Sequence, residues 1–112
     1  MAYRDLDVLD AAQRAADAIN RLIDRSPQRL LYQGQMRDSA QSIGANIAEG
    51  FARETRPDRA HKLVVARGEA DETIRHLKSN FNSKRIEPRD YWPLHNLFVT
   101  IVKMLNSLLN RM

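Results

Sequence analysis

Cysteine is absent from this chain, which excludes a disulfide framework, a Cys-ligated zinc site and a thiol nucleophile. Glycine and proline are sparse, at four residues each, which argues against sandwiches, collagen-like repeats and disordered tails. No stretch approaches the ~18 consecutive apolar residues of a membrane span. Met1 to Asp10 carries Arg4, Asp5, Asp7 and Asp10 where a secretory leader would place its apolar core. The expectation is a cytoplasmic, all-α protein without a membrane partner.

What the chain does have is 112 residues, 43% of them hydrophobic and 29% charged, enough for one domain spanning residues 1–112. Apolar periodicity predicts four helices. The first runs from about Leu6 to Asp24, with Val8, Ala12, Ala15, Ile19 and Leu22 on one stripe. Ser26 suits an N-cap and Pro27 a first helical position, so the second helix is expected to start there and reach about Arg53. Its apolar seam is Met36, Ala40, Ile43, Ile47 and Phe51. A break at Thr55 to Asp58 precedes a third helix through Leu63, Ala70 and Leu77, ending near Asn82. The fourth lies between Pro88 and Met112, with Leu94, Phe98, Ile101 and Leu105 on a broad apolar face and Pro93 expected to kink its first turns. Short connections make sequential helices neighbours, which predicts an up-down-up-down antiparallel four-helix bundle.

Basic residues outnumber acidic ones, 18 to 14, for a net charge of +4 and a pI near 9.9. Met1 to Ser26 holds four basic and five acidic residues, whereas Phe81 to Met112 holds five and two. Lys84, Arg85 and Arg89 cluster around a turn, with Lys78 preceding them. Two readings stand for this cluster: a solvated basic loop, or a contact for RNA or DNA phosphates.

The second helix carries a second pattern. At about 100° per residue, Gln35, Ser39, Ser42, Asn46, Glu49 and Arg53 fall on one line beside the apolar seam. Such a ladder is either an ordinary exposed flank or a contact between helices or subunits, and Glu49 and Arg53 are spaced to pair. On the third helix, His61, Val65, Gly68 and Glu72, with Val64 and His76 at the margins, lie opposite the seam. Valines and a mid-helix glycine there suit close approach of a second copy.

Acid-base or metal chemistry has few candidates: His61, His76 and His95 with Glu49, Glu69 and Glu72. Di-iron bundles need two Glu-x-x-His units facing inward, and this chain has none. Its glycines are scattered instead of clustered in a phosphate loop, and Ser39 and Ser42 have no histidine partner in prospect. No catalytic residue, metal or cofactor is expected, and the chain reads as a non-enzyme.

The run SIGANIAEGFAR from Ser42 to Arg53, preceded by Gln35 and Arg37 and followed by ARGEADET around Gly68 and Glu72, resembles the proteins encoded by intervening sequences of bacterial 23S rRNA genes. The similarity extends from DLDVLDAA near Asp5 to the final KMLNSLL, with departures at Asp38, Ser39, Gly44 and Glu69. The resemblance implies a four-helix bundle that assembles into a ring-like homo-oligomer, typically a pentamer, with no known enzymatic activity. It also implies a likeness in fold to the accessory proteins of diversity-generating retroelements, basic pentamers that bind nucleic acid and a reverse transcriptase. Gln35, Ser42, Asn46, Glu49, Arg53, Gly68 and Glu72 match the family pattern and coincide with the ladder and the second face. They are expected to form a structural polar network or subunit interface. Lys78, Lys84, Arg85 and Arg89 are expected to contact nucleic acid. The alternative is a protein-interaction scaffold whose basicity is incidental.

Overall fold

Each predicted seam becomes the buried stripe of a helix. The computed structural model describes residues 3–112, with side chains from residue 7 onward, so Arg4 and Asp5 lie outside the described side chains. The helices are α1 Tyr3–Arg25, α2 Gln33–Ala52, α3 Arg56–Asn82 and α4 Pro88–Asn110. Each packs on its neighbours in a closed cycle, α1 on α2, α2 on α3, α3 on α4 and α4 back on α1, and α2 with α3 is the most extensive pairing. The chain is therefore an all-α, up-down antiparallel bundle, 45 × 21 × 18 Å. The 27 residues of α3 at ~1.5 Å rise each account for most of its length. Among the described residues no helix is long and apolar enough to cross a membrane.

Val8, Ala12, Ala15, Ile19, Met36, Ile43, Ile47, Leu63, Leu77, Phe98, Ile101 and Leu105 are buried in one core. Phe51 and Phe81 pack against its edge. Thr55 caps α3 by accepting the amide of Asp58 at 3.3 Å, and Pro57 and Asp58 occupy its first turn, where a fixed φ and a negative charge both favour helix. Pro93 does not interrupt α4, which is helical throughout 88–110. So near the start of the helix, the ring forfeits one early backbone hydrogen bond and leaves the rest of the ladder intact.

The start of α2 corrects the expectation from Ser26 and Pro27. Ser26 does not cap a second helix; its Oγ donates to the carbonyl of Leu22 at 2.6 Å and closes α1 instead. Residues 26–32 form a connection in which Leu30 is buried, and α2 begins only at Gln33, after Tyr32 turns the chain with a positive φ of 54°. This connection is held by Asn80, which is fully buried on α3. The Asn80 amide accepts from the Leu31 N–H at 2.7 Å and donates to the Leu31 carbonyl at 3.0 Å and to the His76 carbonyl at 2.8 Å. A side-chain amide thereby pairs with the connection as a backbone strand would, satisfying polar groups that lose water on folding. The other buried polar pair also joins α2 to α3: the hydroxyls of Ser39 and Thr73 meet at 2.7 Å.

Candidate nucleic-acid interface

An antiparallel arrangement brings the C-termini of α1 and α3 and the N-termini of α2 and α4 to the same end of the bundle. The connections 26–32 and 83–87 lie there, and the basic turn seen in the sequence lies with them. Lys84 takes a left-handed conformation, φ 62°, immediately after α3, which reverses the chain before Ile86 is buried. A cleft of about 380 Å³ opens between the two connections, with Arg25, Lys84, Arg85 and Arg89 on its walls.

The four expected phosphate contacts differ in what holds them. Lys78 and Lys84 are exposed and make no ion pair among the described residues. Arg89 Nε lies 3.0 Å from Glu87, an exposed pair that salt readily screens. Arg85 is committed to the fold. One guanidinium nitrogen donates to the Arg29 carbonyl at 3.1 Å, tying the two connections together, while its Nε is buried without a partner. Arg25 pairs with Asp90 at 3.1 Å and anchors α1 to α4.

Sequence reasoning missed the aromatic residues of this end. Phe81 and Tyr91 stack at 4.1 Å with an interplanar angle of 3°, and Trp92, half exposed, stands edge-on to both. Tyr32 is also half exposed and stacks on His76. The signal was available: Phe81 falls between Lys78 and Lys84, and Trp92 follows Arg89 by three residues. Aromatics interleaved with cations are a pattern of nucleic-acid surfaces.

The ladder of α2 is divided by the packing of α3: Ser39 is buried against Thr73, while Ser42 and Asn46 are partly buried. Gln35 and Arg53 are exposed. Asn46 donates to the Ser42 hydroxyl at 3.0 Å and carbonyl at 2.9 Å, one turn back on the same helix. The expected Glu49 partner is corrected. Glu49 pairs with Lys62 of α3 at 2.9 Å, not with Arg53, because the close packing of α2 on α3 brings Lys62 nearer than the next turn of α2. The Lys62 hydrogen bond, then its charge, hold the Glu49 carboxyl below the usual range, and Arg53 adds a weaker field. Gly50 permits this approach: a Cβ there would stand 3.2 Å from Lys62 Cβ and 3.4 Å from the Arg59 carbonyl. On α3, Gly68 is exposed, with open space where its side chain would be. Glu72 lies 3.5 Å from His76 Nε2, which makes no hydrogen bond. Burial, then the charge of Glu72 and a hydrogen bond with it, raise the Glu69 carboxyl above its usual range. Among the described residues no group of three or more His, Asp or Glu could hold a metal ion.

Comparison with known proteins places this geometry in a family. No curated protein matches the chain. A protein of unknown function from the S23 ribosomal protein family of Bacteroides thetaiotaomicron has a crystal structure that superposes with a TM-score of 0.89 at 28% identity. That match covers 96% of this chain and 98% of the other. The family model described as 23S rRNA-intervening sequence protein matches residues 4–107, and the chain belongs to that family.

Proposed function

We propose that this single-domain chain is a non-enzymatic, homo-oligomeric protein that binds RNA or DNA through the basic end of its bundle. The observation that carries the reading is the convergence on one cleft of Lys84 and Arg85 from the second connection, Arg89 from the start of α4 and Arg25 from the end of α1. Phosphate recognition needs cations on a surface, with no demand for a buried base or nucleophile. The ring is taken as a pentamer, the assembly that the family resemblance implies. At +4 per chain, five copies would carry +20 and repeat each weak patch around one particle, so that binding gains from multiplicity.

Lys78 and Lys84 give the cleanest test, because neither makes an ion pair among the described residues and replacing Arg85 would also loosen the connections. Lys78→Gln with Lys84→Gln is expected to flatten the slope of log affinity against log salt by about 1.4 for a single strand, two phosphate contacts at ~0.7 each. Fluorescence anisotropy of a labelled oligonucleotide across a salt series reads this directly. An unchanged slope would remove these residues from the interface. No binding by the unaltered protein at low salt would leave the protein-interaction scaffold as the function.

For the assembly, we place the subunit contact on the outer α2/α3 face that carries Gln35, Ser42, Asn46, Glu49, Arg53, Gly68 and Glu72. An exposed Val64 and the open Gly68 support it. Gly68→Ala is expected to stabilise the isolated chain by about 1 kcal/mol, the helix propensity difference. The same methyl would obstruct a backbone that approaches Gly68, so light scattering is expected to report a weakened oligomer. A more stable chain with unchanged oligomer mass would move the contact elsewhere.

A further inference from the structure

We infer that the nucleic acid taken at this end is single-stranded, and that an unpaired base stacks on Trp92. The inference rests on the proposed function and adds the class of ligand. Trp92 is the only tryptophan in the chain and is 49% exposed, an unusual setting for a residue whose large apolar surface favours burial. Its position is nevertheless well defined. Phe81, Tyr91 and His95 contact it with centroid distances of 5.8, 4.9 and 5.4 Å. The angles to those rings are 70°, 71° and 76°, so none of the three lies parallel to the indole. Phe81 and Tyr91, by contrast, are already stacked on each other. The indole is thus held by edge contacts, exposed over about half its area, and without a stacking partner among the described residues. A base would find the ring already in place, with little ordering left to offset.

Cations flank the residues of this platform along the chain. Lys78 lies one helical turn before Phe81, Lys84 lies in the turn after it, and Arg89 lies one turn before Trp92. Tyr32, at 53% the other exposed large aromatic among the described residues, occupies the same end of the bundle. Duplex DNA or RNA offers phosphates to the cations but keeps its base faces inside the helical stack, so Trp92 would have nothing to take. A single strand offers both phosphates and base faces, and each base has a π-face, so stacking tolerates any sequence. A protein partner fits less well: lysine is depleted from protein interfaces, whereas Lys78 and Lys84 flank Phe81 along the chain and are both exposed.

Because the chain has one tryptophan, the test has an intrinsic reporter. The intact protein is titrated at low salt with oligodeoxythymidylate and, separately, with a blunt duplex of the same length. Indole fluorescence, anisotropy of the labelled nucleic acid and light scattering are recorded on the same samples. The single strand is expected to quench Trp92 and the duplex to leave it unchanged. Trp92→Ala is expected to weaken single-strand binding by roughly 5- to 150-fold, the span of one base–aromatic stack. Trp92→Phe should recover most of that loss, and duplex binding should stay the same. Trp92→Leu keeps an apolar contact for Phe81 while removing the stack, which guards against a simple folding defect. Equal affinity for both forms, with no quenching and no effect of Trp92→Ala, would overturn the stacking role and leave the basic end as a phosphate surface. Absence of binding to either form would overturn the proposed function as well. A fall in oligomer mass for Trp92→Leu would overturn the inference by placing the indole in a subunit contact.

Discussion

Asn80→Ala is expected to destabilise the protein by about 3 kcal/mol, enough to lower the melting temperature by about 12 °C in a chain of this size. The magnitude follows from what the amide does. It is fully buried, and it is the partner of both the N–H and the carbonyl of Leu31. Truncation strands both groups in a part-buried site, at about 1–3 kcal/mol for each unsatisfied group. Thermal unfolding followed by circular dichroism measures the loss; a shift under about 1 kcal/mol would mean that water replaces the amide at Leu31. Asn80→Asp separates hydrogen bonding from volume. The new carboxyl keeps an acceptor, loses the donor to Leu31 and His76, and must lie where a charge is poorly solvated, so its folded pKa rises above the unfolded value. The folded state then holds the proton more tightly, and stability falls as pH rises through that raised value. This variant is expected to melt at a higher temperature in mild acid than at neutral pH. Both substitutions also release residues 26–32, which carry Arg29 and Tyr32 at the candidate interface, so weakened nucleic-acid binding is expected to accompany the lost stability.

Phe98→Ala is expected to have the largest effect on the fold, about 3–5 kcal/mol. Phe98 is fully buried in the core. Its removal costs both the transfer of the ring out of water and the cavity left when neighbours relax only in part. Against a total stability of about 5–15 kcal/mol for a domain, the variant would be marginal. Urea denaturation is expected to show a lower midpoint at an unchanged slope, the sign of lost stability without a change in the surface exposed on unfolding. A loss near 1 kcal/mol would mean that the core collapses around the site. Phe98→Leu, which keeps most of the volume, should retain most of the stability.

The interiors of α1, α3 and α4 were legible because each repeats an apolar position every three or four residues, and that period alone tells which side must leave water. Four helices with short connections then leave little choice of topology. The second helix was legible over its seam but not at its start. Ser26 and Pro27 satisfy the local rules for opening a helix, yet the chain from 26 to 32 is kept out of a helix by Leu30 entering the core and by Asn80, 49 positions from Leu31. Local propensity amounts to a few tenths of a kcal/mol per residue, and a buried amide with three hydrogen bonds outweighs it. The polar ladder met the same limit. Its position on α2 was readable from angle alone, while the partner of Glu49 depended on how closely α3 packs.

The candidate interface divides in the same way. The basic turn was visible as a cluster of charges, and the antiparallel topology implied by the four seams already assigned it to one end of the bundle. Only the tertiary structure distinguished Lys78 and Lys84, which make no ion pair among the described residues, from Arg85, whose guanidinium joins the two connections. It also decided that Trp92 stands half exposed on a platform of Phe81, Tyr91 and His95 instead of entering the core with Tyr91. Helix period and net charge are properties of neighbours along the chain, so the sequence by itself determined the bundle and its basic end. Which cation is exposed, which amide holds a connection and which ring faces water depend on contacts between residues far apart in sequence, and those were decided only when the four helices packed.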